Sequence, residues 1–558
     1  MGSLLLKLKK PEIIGLFGII LVTVFLRFFM LSSFPPSLYS DEAVNGINTL
    51  QALEINQFKI FYLENNGREG LFINVQAIFV WLFGPQAWVL RFASGLFGTL
   101  TVLGLYFLTK ELMTANKKLG IINQDSSAQN PQPKIITPPE IESITPYSLF
   151  TIHYSSFVAL LSSFFLAISF WHINFSRIGF RAITAPFWSV WALYLFFIAR
   201  NKFLNEENRA LKSYLPWSLF AGAVFGLGFS SYIAYRVMPA VIGLLLLYLF
   251  WEARKRGVLK SFVVFVSLIV LGVLITASPL LVHYFKVPQD LSGRTSDISI
   301  FSSQTPVSDL LGNILKTAGM FNIAGDFNQR HNIAGRPELF WSVGILFLAG
   351  TYLASRSVMK KLFRFLLKKP EPEYTPNEIA TPAVYFFLLT WLLTAALPVV
   401  ISNEGIPHAL RSILMIPPVF ILAGLGAVYL YYFIVSKLQL NPNWEQLRKF
   451  IKIFLFLSAI LLVVEVYTAY FIVWGENPKT KDAFSYDYNE RAYELRALPP
   501  ELPKYVVYDP GDIGINITQF LTNTATPASQ VKKNLYYVPR ETLDLINPPM
   551  GVYITDLK

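Results

Sequence analysis

Long apolar runs separated by short polar segments dominate the pattern of this 558-residue chain. A run of about 20 apolar residues is long enough to cross the hydrocarbon core of a bilayer as a helix. Such runs predict about eleven transmembrane helices, near residues 12–33, 88–109, 152–173, 182–199, 214–233, 237–251, 261–284, 338–355, 382–400, 412–434 and 450–474. We therefore expect an all-α polytopic membrane protein.

One further run, residues 71–84, is shorter and favours an interfacial or re-entrant helix on the outer face. If the N-terminus is cytoplasmic and 71–84 does not cross, the inner segments hold just over half of the 47 Lys and Arg residues. That distribution follows the positive-inside bias, whereas a crossing at 71–84 would reverse it. We expect a multi-pass protein of the plasma (inner) membrane with a cytoplasmic N-terminus and an extracytoplasmic C-terminus.

The last part of the chain, residues 476–558, is more polar than the rest and contains the β-like runs "KYVVYD" and "GVYIT" between prolines. It predicts a small extracytoplasmic C-terminal domain, α/β or β-containing, after a transmembrane domain of residues 1–475. The Pro- and Ser-rich segment 120–145 predicts a flexible cytoplasmic loop.

Composition narrows the classes of function. Charged residues make up 15% of the chain, below the roughly 25% of soluble domains. The net charge of +12 could suit a nucleic acid, but the basic residues lie between apolar runs, where they act as topology signals, so we expect no nucleic acid partner. The absence of cysteine excludes disulfides, thiolate catalysis and cysteine-ligated metals.

Candidate chemistry lies in the short segments expected on the outer face, where ionisable groups facing a cavity are functional candidates. A carboxylate can accept a proton from a hydroxyl nucleophile, and a guanidinium fork suits phosphate oxygens. This combination would activate an acceptor hydroxyl against a phosphate-linked leaving group at the bilayer edge. The acids are Asp41, Glu42, Glu69 and Asp326, and the bases are Arg68, Arg177, Arg181, Arg236, Arg330, His331, His408 and Arg411.

Plainer interpretations exist for several of these residues. Arg177 and Arg181 could be anchors that snorkel to the lipid headgroups. The acidic pair in "SLYSDEAVNG" could be a solvated loop entry or a helix cap, since Ser40 precedes an amphipathic segment. We expect Arg27 and Arg91 to anchor or pair structurally. However, the acids and the arginines are expected on the same face of the membrane, and this coincidence favours a functional site.

An Asp-Glu pair directly after the first helix resembles the first outer loop of the GT-C glycosyltransferases that use lipid-phosphate sugars. The nearest resemblance is to glycosyltransferase family 39, including the protein O-mannosyltransferases and the aminoarabinose transferases. The stretches "GREGLFINVQAIFVWLFG", "FWHINFSRIGFRAITAPFW", "GLGFSSYIAYRVMPAVI", "AGDFNQRHNIAGRPEL" and "GIPHALRSILMIPPV" are similar to other parts of those enzymes. The similarity as a whole covers about residues 11–435.

The resemblance implies an inverting glycosyltransferase that moves a sugar from undecaprenyl or dolichyl phosphate to a hydroxyl on a protein, lipid or glycan. Asp41 would be the catalytic base, and Glu42 would support it or bind the sugar. The remaining roles are binding roles, because charge develops on the leaving phosphate. Arg181, Arg236, His408 and Arg411 would hold the lipid phosphate, Asp326, Arg330 and His331 would close over the donor, and Tyr232 belongs to the aromatic-Arg-Pro turn of Arg236.

Some alternatives stay open at this point. Arg68 and Glu69 lie in "GREGL", where relatives often carry a different element, so their roles are not fixed by the resemblance. A transporter or flippase of a lipid-linked sugar, or a surface polysaccharide ligase, would have similar hydropathy, although a transporter usually places polar residues near the midplane. No cofactor is certain, and a divalent cation (Mg²⁺ or Mn²⁺) held by Asp41 and Glu42 is one option.

Overall fold

The computed structural model describes residues 10–125, 153–205, 210–291, 299–368, 379–438, 441–542 and 552–556. In chain order its helices are α1 (Lys10–Phe28), α2 (Ser40–Glu54), α3 (Leu71–Phe83), α4 (Ala87–Asp125), α5 (Tyr154–Ala167), α6 (Phe170–Arg177), α7 (Thr184–Leu204), α8 (Leu211–Leu227), α9 (Met238–Lys255), α10 (Leu259–Lys286), α11 (Pro306–Gly319), α12 (Trp341–Leu366), α13 (Pro382–Val400), α14 (Ile416–Leu438), α15 (Trp444–Tyr467), α16 (Pro478–Ala483), α17 (Tyr486–Ala497), α18 (Ile515–Thr522) and α19 (Pro527–Lys533).

The predicted helical membrane architecture is confirmed. In the described part of the chain, nine helices are long and apolar enough to cross a bilayer, or ten if the bent pair α5–α6 is counted as one span. The predicted span at 214–233 corresponds to α8, whose 17 residues are followed by a 3₁₀ turn at Gly228–Ser230, and it is not among the nine. The expected short helix at 71–84 is α3. Most of segment 120–145 lies outside the described residues.

One expected span is not a single straight helix. The run at 152–173 forms α5 and α6, which meet at an angle of 58°. The hydroxyl of Ser169 accepts a hydrogen bond from the backbone N–H of His172 and so caps the first turn of α6. The bend directs α6, with its buried polar residues, across the end of the bundle.

Burial separates central helices from peripheral ones. In α14, 83% of the apolar stretch is buried within the protein, whereas for α15 the share is 6%. The exposed side chains of α15 include Phe450, Phe454 and Leu461, and such a surface suits contact with lipid. Where helices cross closely, small residues are required: a Cβ at Gly350 would overlap the Leu422 carbonyl of α14.

The segments expected on the outer face meet at one end of the bundle. The side-chain amide of Asn174 donates to the carbonyls of Arg330 and His331, at 2.8 and 2.9 Å. The indole of Trp171 donates to the Ala409 carbonyl at 2.9 Å. Connections 320–340 and 401–412 therefore both pack against α6.

The segment between α1 and α4, which we expect on the outer face, forms a layer on this end. It contains α2, a short antiparallel hairpin of β1 (Phe61–Tyr62) and β2 (Arg68–Glu69), and then α3. The hairpin turn uses Gly67 with a positive φ of 76°, a conformation that favours glycine.

The polar C-terminal segment folds around a three-stranded parallel sheet in the order β4-β3-β5, with β3 (Lys504–Tyr508), β4 (Leu535–Pro539) and β5 (Tyr553–Asp556). Strands β3 and β5 correspond to the two β-like runs in the sequence. The sheet is joined to the layer that contains α2 through α18, because the Phe520 ring lies against Gly46 of α2. The domain boundary at residue 475 stays a prediction.

Candidate functional site

Asp41 and Glu42 occupy the first turn of α2, but their carboxylates differ in environment. The helix begins at Ser40, so Tyr39 rather than Ser40 is the N-cap residue. Asp41 is half-buried, and no hydrogen bond or ion pair engages its carboxylate among the described residues. Burial and the nearby negative charge of Asp41 raise the pKa of Tyr39. Asp41 is therefore the acid of this pair that a substrate could reach.

Glu42, in contrast, is fully buried and has a positioning role. Its Oε1 accepts hydrogen bonds from the backbone N–H of Gly179 at 2.6 Å and from Nε of Arg91 at 3.4 Å. Its Oε2 accepts from the backbone N–H of Tyr39 at 2.9 Å. Arg91 also donates to main-chain carbonyls between residues 31 and 37, as its expected structural role requires. Both Glu42 oxygens accept hydrogen bonds, and a divalent cation held by Asp41 and Glu42 stays a prediction.

The second element of the site is a buried carboxylate between two arginines. Glu69 Oε2 lies 2.9 Å from Nε of Arg181, and its Oε1 lies 3.8 Å from a terminal nitrogen of Arg236. The Tyr284 hydroxyl donates to Glu69 at 3.3 Å. The Arg181 guanidinium also lies over the Tyr232 ring, 5.9 Å from its centroid. Four residues that the sequence singled out therefore form one cluster.

Arg68 and Glu42 join this cluster to the helix that carries Asp41. Arg68 is buried and donates to the side-chain oxygens of Asn45 and Asn48 on α2, so the neighbouring Glu69 is fixed to that helix. On the other side, Glu42 holds Gly179, two residues before Arg181. Standard backbone dimensions and the 2.6 Å Glu42–Gly179 bond place the Cα atoms of Asp41 and Arg181 within about 20 Å of each other.

Arg177 lies outside this cluster, which corrects its place among the substrate-binding candidates. Its terminal nitrogens donate to the carbonyls of Leu26, Phe29 and Phe34 at 2.8 to 3.0 Å, and its guanidinium lies 4.9 Å from the centroid of the Phe471 ring. The side chain is fully buried, so a lipid phosphate cannot reach it. Arg177 instead closes the turn after α1.

The long connection 320–340 reaches the acidic pair through Arg330. The Arg330 guanidinium lies 4.3 Å from the centroid of the Tyr39 ring, which is a close cation–π distance. Its Nε also donates to the side-chain oxygen of Asn328 at 3.2 Å. Arg330 therefore covers Tyr39, the residue that precedes the first turn of α2.

Three further candidates form a separate group beside this connection. Asp326 Oδ2 lies 2.9 Å from Nδ1 of His331 and 3.8 Å from Nδ1 of His408. Burial, together with the nearby His331, lowers the pKa of His408 to about 3. Burial raises the pKa of Asp326, but the combined effect of His331, His408 and the Asn328 backbone N–H is larger, so the net shift is downward.

Arg411 is engaged locally and not with the Glu69 cluster. Its guanidinium donates to the Glu404 carboxylate at 2.6 Å and to the Glu404 carbonyl at 3.1 Å. Neither His408 nor Arg411 contacts Glu69, Arg181 or Arg236 among the described hydrogen bonds and ion pairs. The four residues expected to hold the phosphate are therefore divided: Arg181 and Arg236 contact Glu69, whereas His408 and Arg411 lie in connection 401–412 and have other partners.

Sequence reasoning missed several residues of this region. Tyr39, Asn45, Asn48, Tyr284 and Glu404 each contact a candidate residue. The two asparagines are spaced i, i+3 on a helix of low hydrophobicity, so they share one face. That spacing was the signal in the sequence that could have identified the two asparagines as partners of a common side chain.

Comparisons with known proteins support the resemblance over part of the chain. Residues 141–283 match the family model described as dolichyl-phosphate-mannose-protein mannosyltransferase. This match includes the "FWHINFSRIGFRAITAPFW" and "GLGFSSYIAYRVMPAVI" stretches and confirms the resemblance there. Among curated proteins, none matches this chain by sequence.

Solved structures with a similar arrangement have low identity to this chain. ArnT from Cupriavidus metallidurans bound to undecaprenyl phosphate aligns with a TM-score of 0.49 and 12% identity, covering 97% of this chain and 89% of that one. The Archaeoglobus fulgidus oligosaccharyltransferase in the apo form aligns with a TM-score of 0.47 and 14% identity, covering 93% of this chain and 65% of that one. The S. cerevisiae protein O-mannosyltransferase Pmt1-Pmt2 complex bound to the sugar donor aligns with a TM-score of 0.35 and 17% identity, covering 51% of this chain and 34% of that one.

Proposed function

We propose that this protein is an inverting glycosyltransferase that moves a sugar from a polyprenyl phosphate to an acceptor hydroxyl at the extracytoplasmic face of the membrane. The observation that carries the proposal is the double attachment of α2. Arg68 ties that helix to Glu69, and Glu42 ties it to the loop of Arg181. A reachable carboxylate and a pair of arginines are thereby held in one outer layer.

The arginine pair supplies a phosphate site in this proposal. Glu69 neutralises part of the charge of Arg181 and Arg236 while no phosphate is bound. Arg236 is 28% exposed and Arg181 11%, so the lipid phosphate approaches Arg236 first. The polyprenyl chain stays in lipid beside the apolar helix α3, whose Trp81 and Leu82 are exposed. The sugar then lies toward Asp41.

The reaction follows from this arrangement. The acceptor hydroxyl attacks the anomeric carbon, and Asp41 takes its proton as the new C–O bond forms. The bond from the anomeric carbon to the phosphate oxygen breaks on the opposite face, and polyprenyl phosphate leaves with the electron pair. Arg181 and Arg236 stabilise the negative charge that grows on this phosphate. Arg330 covers the site beside Tyr39 and limits water access.

The test begins by identifying the product of the reaction. Glycolipids and glycoproteins from cells with and without the gene are compared by mass spectrometry. Membranes carrying Asp41→Asn are then assayed for the missing product with the corresponding lipid-phosphate sugar as donor. We expect normal insertion and a rate lower by about 10²–10⁴-fold, the usual contribution of a general base.

The matched control is Glu64→Gln, which changes an exposed acid of the same outer segment. It should transfer sugar at the wild-type rate. Wild-type transfer by Asp41→Asn would exclude Asp41 as the base. Unchanged glycans in cells that lack the gene would count against glycosyl transfer itself.

A further inference from the structure

Asp326, His331 and His408 form a cluster that the proposed transfer reaction does not use. Asp326 and His331 belong to connection 320–340, and His408 belongs to connection 401–412. Their ligand atoms, one carboxylate oxygen and two imidazole nitrogens, all lie within 4.8 Å of one another. Asp326 and His331 are buried, and the His408 side chain is 15% exposed.

The donor set fits a divalent transition metal. Imidazole nitrogens suit Zn²⁺ and its neighbours in the first transition row, whereas Mg²⁺ and Ca²⁺ favour oxygen ligands. With metal–ligand bonds of about 2.0–2.2 Å, ligands at tetrahedral corners are about 3.4 Å apart. The distances from Asp326 Oδ2 to the Nδ1 atoms of His331 and His408, 2.9 and 3.8 Å, lie on either side of that value.

A second observation indicates a ligand rather than a closed hydrogen-bond network. Nδ1 of His408 is buried and has no hydrogen-bond partner among the described residues, although it faces the Asp326 carboxylate. Buried polar atoms are normally satisfied, and an exception calls for a partner such as an ion. A proton shared between Asp326 and His331 explains their 2.9 Å contact but leaves His408 unsatisfied.

The surroundings of the cluster hold its carboxylate in place. The backbone N–H of Ala409 donates to Asp326 Oδ2 at 2.8 Å, and that of Asn328 donates to Oδ1 at 2.7 Å. The His331 ring packs against Phe175, with centroids 5.5 Å apart. Such supporting contacts orient metal ligands and raise affinity.

We propose that Asp326, His331 and His408 bind one divalent transition-metal ion, with Zn²⁺ as the best fit, and that this ion joins connection 320–340 to connection 401–412. The ion would fix the position of Arg330, which precedes His331 and lies over Tyr39. Its role is structural positioning, and the proposal does not depend on the reaction catalysed.

The test measures metal content and not only activity. The protein is purified with a tag that contains no histidine, equilibrated with Zn²⁺ and freed of unbound metal by gel filtration. Mass spectrometry of the elements should find about one Zn²⁺ per chain in the wild type and none in His408→Gln, because the two remaining side-chain ligands would bind the ion too weakly to retain it through gel filtration. The control His283→Gln, which removes a histidine paired with Asp290 at 2.8 Å, should retain the ion.

A spectroscopic readout covers the case in which His408→Gln fails to fold. Titration of the wild type with Co²⁺ should give visible absorption bands that saturate at about one equivalent and disappear when Zn²⁺ is added. A chelator should lower the thermal unfolding temperature of the wild type, and Zn²⁺ should restore it. The proposal is overturned if the wild type retains no more Zn²⁺ than His408→Gln, or if Co²⁺ gives no saturable bands.

Discussion

Replacing Glu69 by Gln removes one negative charge from a buried position that faces two guanidinium groups. The carboxylate is 4% exposed, and it lies 2.9 Å from Arg181 and 3.8 Å from Arg236. Gln keeps the shape and one oxygen that accepts from Arg181. The substitution therefore isolates the effect of charge.

The expected loss of stability follows from burial. Removing one partner of a buried ion pair costs about 3–5 kcal/mol, because the other charge is left uncompensated. Arg236 is 28% exposed and keeps contact with solvent, so we expect the lower end of that range, about 3 kcal/mol. A lipid phosphate would replace the missing charge: at 100 times its dissociation constant, a ligand adds about 2.7 kcal/mol.

The assay is thermal unfolding of detergent-solubilised protein with and without polyprenyl phosphate. Glu69→Gln should unfold at a lower temperature than the wild type, and the lipid phosphate should raise its unfolding temperature more than it raises that of the wild type. The control is Glu404→Gln, since Glu404 pairs with Arg411 but is 67% exposed, and such pairs contribute about 1 kcal/mol at most. Equal unfolding temperatures for the two variants, or equal lipid effects on variant and wild type, would refute this reasoning.

Three further predictions concern other parts of the fold. Glu42→Ala should lower both the unfolding temperature and sugar transfer, because it leaves buried backbone donors unsatisfied. Asp41→Asn should lower transfer alone, so unfolding and transfer assays on both variants check this difference. Gly350→Val should sharply reduce the yield of folded protein because a Cβ there meets the backbone of a facing helix, whereas Gly243→Val, with open space around it, should not; gel filtration of both variants decides. A reporter fused after Lys558 should be active outside the cytoplasm, and cytoplasmic activity would reverse the proposed orientation.

The helices were largely predictable because length and hydropathy are local properties of the chain. The runs at 261–284 and 382–400 correspond to α10 and α13 with small changes at their ends. The bend between α5 and α6 was not predictable from hydropathy, since the run 152–173 is continuous in the sequence. Strand β4 was also missed, because "LYYVP" lacks a clear alternation of apolar and polar residues.

The side shared by the candidate residues was predictable, but their individual partners were not. Arg177 and Arg181 are four residues apart in one short segment, so no local pattern separates them. Arg177 ends α6 and turns toward the carbonyls after α1, whereas Arg181 begins a 3₁₀ turn that reaches Glu69. Other contacts between distant segments were hidden for a similar reason: Glu42 accepts a hydrogen bond from the backbone of Gly179, and His408 approaches Asp326 only through the packing of two distant connections.

The central claim is that Arg181 and Arg236 hold a lipid phosphate in the layer that carries Asp41. The most direct test is an electron cryomicroscopy map of the protein in lipid nanodiscs with bound polyprenyl phosphate. We expect phosphate density within hydrogen-bond distance of the Arg236 guanidinium, beside Glu69, with the lipid chain passing along α3. Phosphate density at the opposite end of the bundle, or bound by Arg411 alone, would contradict it.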